Sequence, residues 1–271
     1  MINQQDTTEI DSRVAEASKK VYMAPLKQLT ESDFFRHDTG IFRQEITGKD
    51  NFTCIVIGLG NLQEPLRYTA QWYAQKGNLD GFRLILLDVI EESYFKDLVK
   101  KTKTYKPTKG EVASEEFTDL KKAFELDPKS GEYVAKKEIK DFLSKAVETG
   151  RYQVNIANSG GMDEIGGVDY LSCQNVFGYV SPLLLDLSMM RVMNLVKVGG
   201  VAALRTDSGD TQVGEALERQ HVPVKIIDRN KMIFRKVTPE NGQDLGFLKE
   251  KKLRDNKIAD NKRESGNVFG I

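Results

Sequence analysis

The amino-acid sequence predicts an α/β fold with a mostly parallel sheet that helices cover on both faces. Segments dense in β-branched and aliphatic residues recur along the chain, with helical segments between them. The first such strand segment turns on two glycines before its helix begins. Two short strand-like segments at 222–237 predict a closing antiparallel hairpin.

The predicted elements follow one another at spacings typical of α/β proteins. The helix after the first strand, QEPLRYTAQWYAQKG, is predicted to end at Gly77, because glycine commonly follows the last helical turn. Residues 181–200 contain an amphipathic helix that leads into the last parallel strand. Five strands precede the hairpin, at 51–59, 82–90, 152–160, 168–180 and 199–207.

Three regions depart from this alternation and set the predicted domain organisation. Residues 1–47 are predicted to form an N-terminal helical segment ahead of a domain at 48–237. A charged stretch at about 96–150, which contains the turn-like DPKSGE, predicts a small inserted subdomain. Residues 238–271 form a charged C-terminal tail.

The composition excludes several classes of protein. The 271 residues contain 40 Lys and Arg against 40 Asp and Glu, whereas general nucleic-acid and membrane-surface proteins carry a basic excess. The two cysteines, Cys54 and Cys173, lie among apolar neighbours and are interpreted as packed strand residues, without a disulfide or metal-ligand spacing. No apolar leader or membrane-length run occurs, so we expect a cytoplasmic protein without metal or membrane insertion.

The glycine pair Gly58 and Gly60 ends the first strand. Glycines there let the backbone turn sharply and approach a ligand closely. A dinucleotide fingerprint needs a third glycine, and this chain has Gln63 in that place. The residues alone therefore leave three interpretations open: a structural turn, a site for S-adenosylmethionine, or a site for NAD(P).

Asp88 strengthens the cofactor interpretation. It follows an apolar strand, 28 residues after Gly60, where a carboxylate can accept hydrogen bonds from both hydroxyls of a ribose. The alternative is that Asp88 caps the helix that follows it.

Three segments resemble the CheR-type chemotaxis-receptor methyltransferases. SDFFRHDTGIF is similar to the T-x-F-F-R segment of that family, and GNLQEPLRYTA to its Glu-Glu-Pro signature, with Gln63 in place of the first glutamate. VDYLSCQNVFGYV resembles F-D-x-I-x-C-R-N-V-x-I-Y-F, with Gln174 in place of arginine. The resemblance runs from about residue 30 to residue 237 and implies a Rossmann-like S-adenosylmethionine-dependent methyltransferase fold.

The resemblance also implies roles for individual residues. Those facing the cofactor would be Ser32 and Arg36 above it, Glu64 at its methionine or ribose end, Asp88 on the ribose, Asn158 beside the adenine, and Asn175 and Val176 closing the pocket. Tyr179 would stand near the methyl group. Arg36 and Tyr179 are the candidate catalytic residues, with alternative roles as a surface ion pair and a sheet-edge aromatic.

The implied reaction transfers a methyl group to a glutamate-type carboxylate on a protein, a chemoreceptor or another. An ionised carboxylate needs no general base, so the protein has to align the reactants and exclude water. Arg36 could orient the carboxylate through its planar fork. Two other classes of function remain open: a non-catalytic binding or regulatory module that keeps the fold, and an NAD(P)-dependent oxidoreductase.

Overall fold

The computed structural model describes residues 39–58, 63–88, 104–105, 120–131, 133–149, 152–153, 167–174, 182–205, 210–228 and 232–242. The strands of this part, in chain order, are β1 Phe52–Ile57, β2 Phe82–Asp88, β3 Thr104–Tyr105, β4 Phe124–Leu126, β5 Tyr133–Ala135, β6 Tyr152–Gln153, β7 Val168–Gln174, β8 Val196–Arg205, β9 Val224–Asp228 and β10 Ile233–Lys236. The α-helices are α1 Thr39–Ile46, α2 Gln63–Lys76, α3 Lys137–Thr149, α4 Pro182–Leu195 and α5 Asp210–Arg219.

Seven strands form the main sheet, in the order β6-β2-β1-β7-β8-β10-β9. The first five are parallel, whereas β10 runs antiparallel to both β8 and β9. The parallel part has the doubly wound order third-second-first-fourth-fifth, so the chain reverses its direction of winding between β1 and β7. The structure confirms the predicted Rossmann-like α/β fold, with its mostly parallel sheet and closing antiparallel hairpin.

Both faces of the sheet are buried, because helices pack on each. Alternate residues of β1 show the division: Cys54 and Val56 join the core under α1, α2 and α3, while Ile55 and Ile57 join the core under α4 and α5. This two-residue period follows from the strand geometry. The predicted packing of Cys54 in a strand is confirmed.

Helix α2 ends where the sequence predicted. Gly77 has a φ of +77°, a left-handed conformation that glycine adopts without a steric penalty. Its N–H donates to the carbonyl oxygen of Tyr73 at 2.8 Å and so closes the last turn.

Some predicted boundaries were wrong. The helix predicted over 181–200 ends at Leu195, and the strand begins at Val196, three residues before the predicted start at 199. Val196 pairs with Val168 of β7, and β-branched residues such as Val196 and Val198 favour the extended chain. Helix α5 was not predicted at all. The predicted strands at 152–160 and 168–180 are described only as far as Gln153 and Gln174.

A second, three-stranded antiparallel sheet has the order β3-β5-β4 and lies within the charged stretch at 96–150. The predicted turn at Asp127 is confirmed, since the Asp127 carboxylate accepts hydrogen bonds from the Lys129 N–H and the Ser130 hydroxyl. Helix α3, from the same stretch, packs on the main core through residues such as Ile139 and Leu143.

The bounds of the insertion, of the N-terminal segment and of the tail stay predictions. Within the described residues, no helix is long and apolar enough to span a membrane.

Candidate functional site

The carboxyl ends of the five parallel strands meet at one edge of the sheet, which we call the carboxyl edge. Backbone pairing aligns one row of residues across it, and this row is Tyr152, Leu87, Ile57, Cys173 and Leu204. The residues that follow them form the terminal row, which is Gln153, Asp88, Gly58, Gln174 and Arg205. Neighbouring strands lie about 4.8 Å apart, so the terminal row spans about 19 Å.

Gly58 stands at the centre of the terminal row. Its φ is +75°, a left-handed conformation that residues with a Cβ rarely adopt. Its N–H donates to the carbonyl oxygen of Leu87 at 2.9 Å, which extends the β1–β2 ladder by one step before the chain turns away. Because β1 borders β7 at the point where the winding reverses, Gly58 lies at the crevice where open α/β sheets bind ligands.

Asp88 lies beside Gly58 in the terminal row. It is the last residue of β2, and its backbone pairs with Gln153 of β6. The Asp88 and Gly58 backbones are therefore one strand spacing apart, about 4.8 Å. The sequence predicted both residues for one cofactor site, and the sheet brings their backbones together.

Helix α2 starts at the same edge, because it follows the turn at the end of β1. Glu64 lies in its first turn and is half-buried, and a carboxylate there is stabilised by the helix dipole. One turn further on, Arg67 is only 1% exposed, and its guanidinium carbon lies 5.2 Å from the centroid of the Tyr68 ring. The sequence prediction missed Arg67, because arginine side chains are mostly exposed and no local pattern indicates that this one is buried.

Aromatic rings hold α1 and α2 against the middle of the sheet, at the level where Tyr170 of β7 pairs with Cys54 of β1. Phe42 of α1 lies 4.4 Å from the Tyr68 ring and 5.1 Å from the Tyr170 ring of β7, centroid to centroid. The Tyr68 and Tyr170 rings are 5.6 Å apart in a T-shaped arrangement. Such pairs add about 0.5–1.5 kcal/mol each beyond the burial of their area. The cluster fixes α1 and α2 relative to β7.

The described part of the structure contains three of the predicted site residues, Gly58, Glu64 and Asp88, all at or next to the carboxyl edge. The other predicted site residues lie outside the described residues, and they are Ser32, Arg36, Gly60, Asn158, Asn175, Val176 and Tyr179. Gln174, which precedes Asn175 in the chain, belongs to the terminal row.

The thiol of Cys173, in the row just before the strand ends, is unsuited to nucleophilic chemistry. Cys173 is fully buried, and burial raises the pKa of its thiol well above the ordinary value. The thiol therefore stays protonated at neutral pH, and the prediction that Cys173 is a packed strand residue is confirmed. Among the described residues, no group of three or more His, Cys, Asp or Glu side chains could hold a metal ion.

A groove of about 680 Å³ lies away from this site, among the residues Val198, Gly199, Lys225, Lys236, Val237, Thr238, Asn241 and Gly242. It opens at the amino end of β8, the edge opposite the terminal row. Burial lowers the pKa of Lys236, whose ammonium donates to the carbonyl oxygen of Met193 at 2.9 Å, near the end of α4. The Lys236 ammonium therefore provides a hydrogen-bond donor for a carbonyl group in the last turn of α4, and it does not face the strand ends.

Comparison with known proteins gives little beyond the fold. No family model matches the chain, and no curated protein matches it. One solved structure that matches is the precorrin-6y C5,15-methyltransferase of Geobacter metallireducens, with 15% sequence identity and a TM-score of 0.37 over 69% of this chain and 72% of that chain. A likeness at this level does not bear on substrate or site, so the function is inferred from the residues and the sheet.

Proposed function

We propose that this protein is a cytoplasmic S-adenosylmethionine-dependent methyltransferase, and that it methylates a glutamate-type carboxylate on a protein. One observation carries the proposal: Gly58 in its left-handed conformation and Asp88 occupy adjacent places in the terminal row, at the reversal point of the sheet. Gly58 would allow a close backbone approach to an adenosyl ligand, and Asp88 would offer it a carboxylate. The family resemblance of the sequence supports the same cofactor.

The described residues fit such a cofactor. The turn at Gly58 and Gly60 would let the backbone approach it, Asp88 would accept hydrogen bonds from the ribose hydroxyls, and Glu64 would face the methionine or ribose end. The residues assigned to the adenine side by resemblance are Asn158, Asn175 and Val176. When bound, S-adenosylmethionine supplies a methyl group on a positively charged sulfur.

The acceptor carboxylate is proposed from its chemistry and from the resemblance. A carboxylate is ionised at neutral pH, so the protein needs only to align it and to exclude water. Ser32 and Arg36 are the proposed residues above the cofactor, and Tyr179 is proposed to stand near the methyl group.

Titration calorimetry of two aspartate variants tests the cofactor site. We expect Asp88→Ala to weaken binding of S-adenosylhomocysteine at least tenfold, because each lost charge-assisted hydrogen bond to the ribose is worth about 1.5–3 kcal/mol. Asp80→Ala is the matched control, since Asp80 lies in the exposed turn before the other end of β2. Equal affinities in the two variants would remove Asp88 from the site.

A radiolabel assay tests the acceptor. Protein incubated with methyl-labelled S-adenosylmethionine and a cytosolic extract of the source organism should yield labelled protein that releases methanol in mild alkali, as carboxyl methyl esters do. Arg36→Ala should lower the rate of this transfer more than it lowers cofactor affinity. Alkali-stable label would show that the acceptor is a nitrogen or carbon atom and would contradict the carboxylate.

A further inference from the structure

Strand β8 bulges at the amino edge of the sheet, the edge opposite the terminal row. Val168 and Tyr170 of β7 pair with Val196 and Val201 of β8, so the chain of β8 is locally longer than its partner and leaves the ladder between these pairs. Bulges commonly aim a side chain away from the sheet. Val198, inside the bulge, is 57% exposed, so an apolar side chain is turned to solvent here.

Contacts on both sides hold the bulge in place. Lys197 forms an ion pair with Asp169 of the neighbouring strand β7. On the other side, Arg235 Nη1 of β10 donates to the carbonyl oxygen of Gly199 at 2.7 Å. The bulge is therefore a fixed part of the fold, and it keeps Val198 at the surface.

The bulge forms one wall of the groove of about 680 Å³ at the amino edge. The charged residues that line this groove are both lysines, Lys225 and Lys236, and the described lining residues include no carboxylate. Thr238 and Asn241 add a hydroxyl and an amide, and Asn241 Nδ2 donates to Thr238 Oγ1 at 2.8 Å. The groove thus combines an apolar wall, neutral hydrogen-bonding groups and positive charge.

Lys225 carries the positive charge that its surroundings leave uncompensated. It stands opposite Arg235 in the β9–β10 ladder, so the two side chains leave the same face of the sheet. The Arg235 charge is neutralised by Glu45 of α1, with Nη2 to Oε1 at 2.5 Å. In the part of the chain that the structure describes, no carboxylate forms an ion pair with Lys225, and the exposed Glu240 does not line the groove.

We propose that this groove binds an acidic peptide segment of a partner protein, with a carboxylate of the segment at Lys225 and an apolar side chain against Val198. Charge complementarity favours an anionic occupant, and the outward valine favours one that also carries apolar groups. A nucleic acid or a membrane surface would require a broad basic face, whereas the whole chain has 40 basic and 40 acidic residues. The groove lies at the edge opposite the proposed cofactor site, so this inference does not depend on the function proposed above.

The test measures, by fluorescence anisotropy, the binding of a fluorescein-labelled hexapeptide of alternating glutamate and leucine. We expect saturable binding that weakens as salt is added, because exposed charge pairs are screened. The same peptide with glutamine in place of glutamate should not bind. Lys225→Glu should raise Kd at least about fivefold, since it replaces an exposed attraction with a repulsion.

Lys129→Glu is the matched control. Lys129 is an exposed lysine in the turn of the small sheet, and its substitution makes the same change in net charge. It should leave Kd within about twofold, because charges separated by more than a Debye length are screened. Val198→Ser, which changes no charge, should also raise Kd. Equal Kd values in Lys225→Glu and Lys129→Glu would overturn docking at this groove.

Amide chemical shifts of the isotope-labelled protein locate the bound peptide. They should change at residues 197–199, 225 and 237–242, and changes confined to other residues would contradict the proposal. Displacement of the peptide by inorganic phosphate at the peptide's own concentration would show a site for inorganic anions and would overturn the peptide assignment, as would failure of the glutamate peptide to bind. None of these measurements uses S-adenosylhomocysteine, so their outcome is separate from that of the proposed function.

Discussion

Gly58 offers the sharpest test of the carboxyl edge, because the chain contains a second glycine in nearly the same conformation. The φ values of Gly58 and Gly77 are +75° and +77°. Alanine in the left-handed region costs about 1–2 kcal/mol, so both substitutions should lower stability by a similar amount. In a protein of this size 1 kcal/mol corresponds to about 2–4 °C in melting temperature. Each variant should therefore melt a few degrees lower.

The two variants should differ in ligand binding. A Cβ at Gly77 would meet no atom within 4 Å, so the effect there is backbone strain alone. A methyl group at Gly58 would stand at the reversal point of the sheet, where the protein backbone is proposed to approach the cofactor closely. We expect Gly58→Ala to raise the Kd of S-adenosylhomocysteine at least tenfold, about 1.4 kcal/mol, and Gly77→Ala to leave it unchanged. Titration calorimetry measures both, and equal Kd values would refute the assignment of Gly58 to the site.

Three further predictions concern the fold. Gly81→Ala should destabilise the protein more than an ordinary left-handed glycine variant in chemical denaturation, because its Cβ would lie 1.9 Å from the Asp50 carbonyl oxygen at a φ of +71°. Phe42→Ala should lower the free energy of unfolding by about 3–5 kcal/mol in the same assay, since it removes a fully buried ring. The hydrogen bond from Arg219 lowers the pKa of Asp186, so this pair stabilises the fold above about pH 4 and loses its effect as the pH falls through the lowered pKa. The difference in melting temperature between the unaltered protein and Asp186→Asn should therefore be largest at neutral pH and should shrink as the pH falls through the lowered pKa of Asp186.

Much of the fold could be predicted because it depends on local patterns. β1 and β2 are nearly continuous apolar runs, which is typical of strands buried on both faces. The end of α2 at Gly77 follows from a conformation that favours glycine. The closing hairpin was visible as two apolar segments separated by polar residues.

Other features depend on tertiary contacts and left no local signal. The segment Val196–Gly200 continues a helical pattern from α4, but pairing of Val196 with Val168 makes it a strand. The outcome there is set by the sheet and not by the segment itself. Helix α5 differs, because its sequence does contain a local signal that the prediction missed: the buried residues Val213, Ala216 and Leu217 have the i, i+3, i+4 spacing of one helical face.

The candidate site could be predicted only in part, for the same reason. Gly58 and Asp88 could be identified from the sequence because each follows an apolar strand segment. The parallel pairing of β1 with β2 then places their backbones side by side. Outside this site, the ion pair between Glu45 of α1 and Arg235 of β10 joins residues 190 positions apart, so no local sequence pattern predicts it. Arg67 was missed because its burial depends on how α2 packs.

The most direct test of the central claim is a thermal-shift series on the unaltered protein with S-adenosylmethionine, S-adenosylhomocysteine and NAD(P). A ligand at about 100 times its Kd adds about 2.7 kcal/mol of stability, which corresponds to a shift of several degrees. We predict that shift with the two adenosyl ligands and none with NAD(P). A shift with NAD(P) alone would assign the carboxyl edge to a dinucleotide, and no shift with any of them would contradict a cofactor site at this edge.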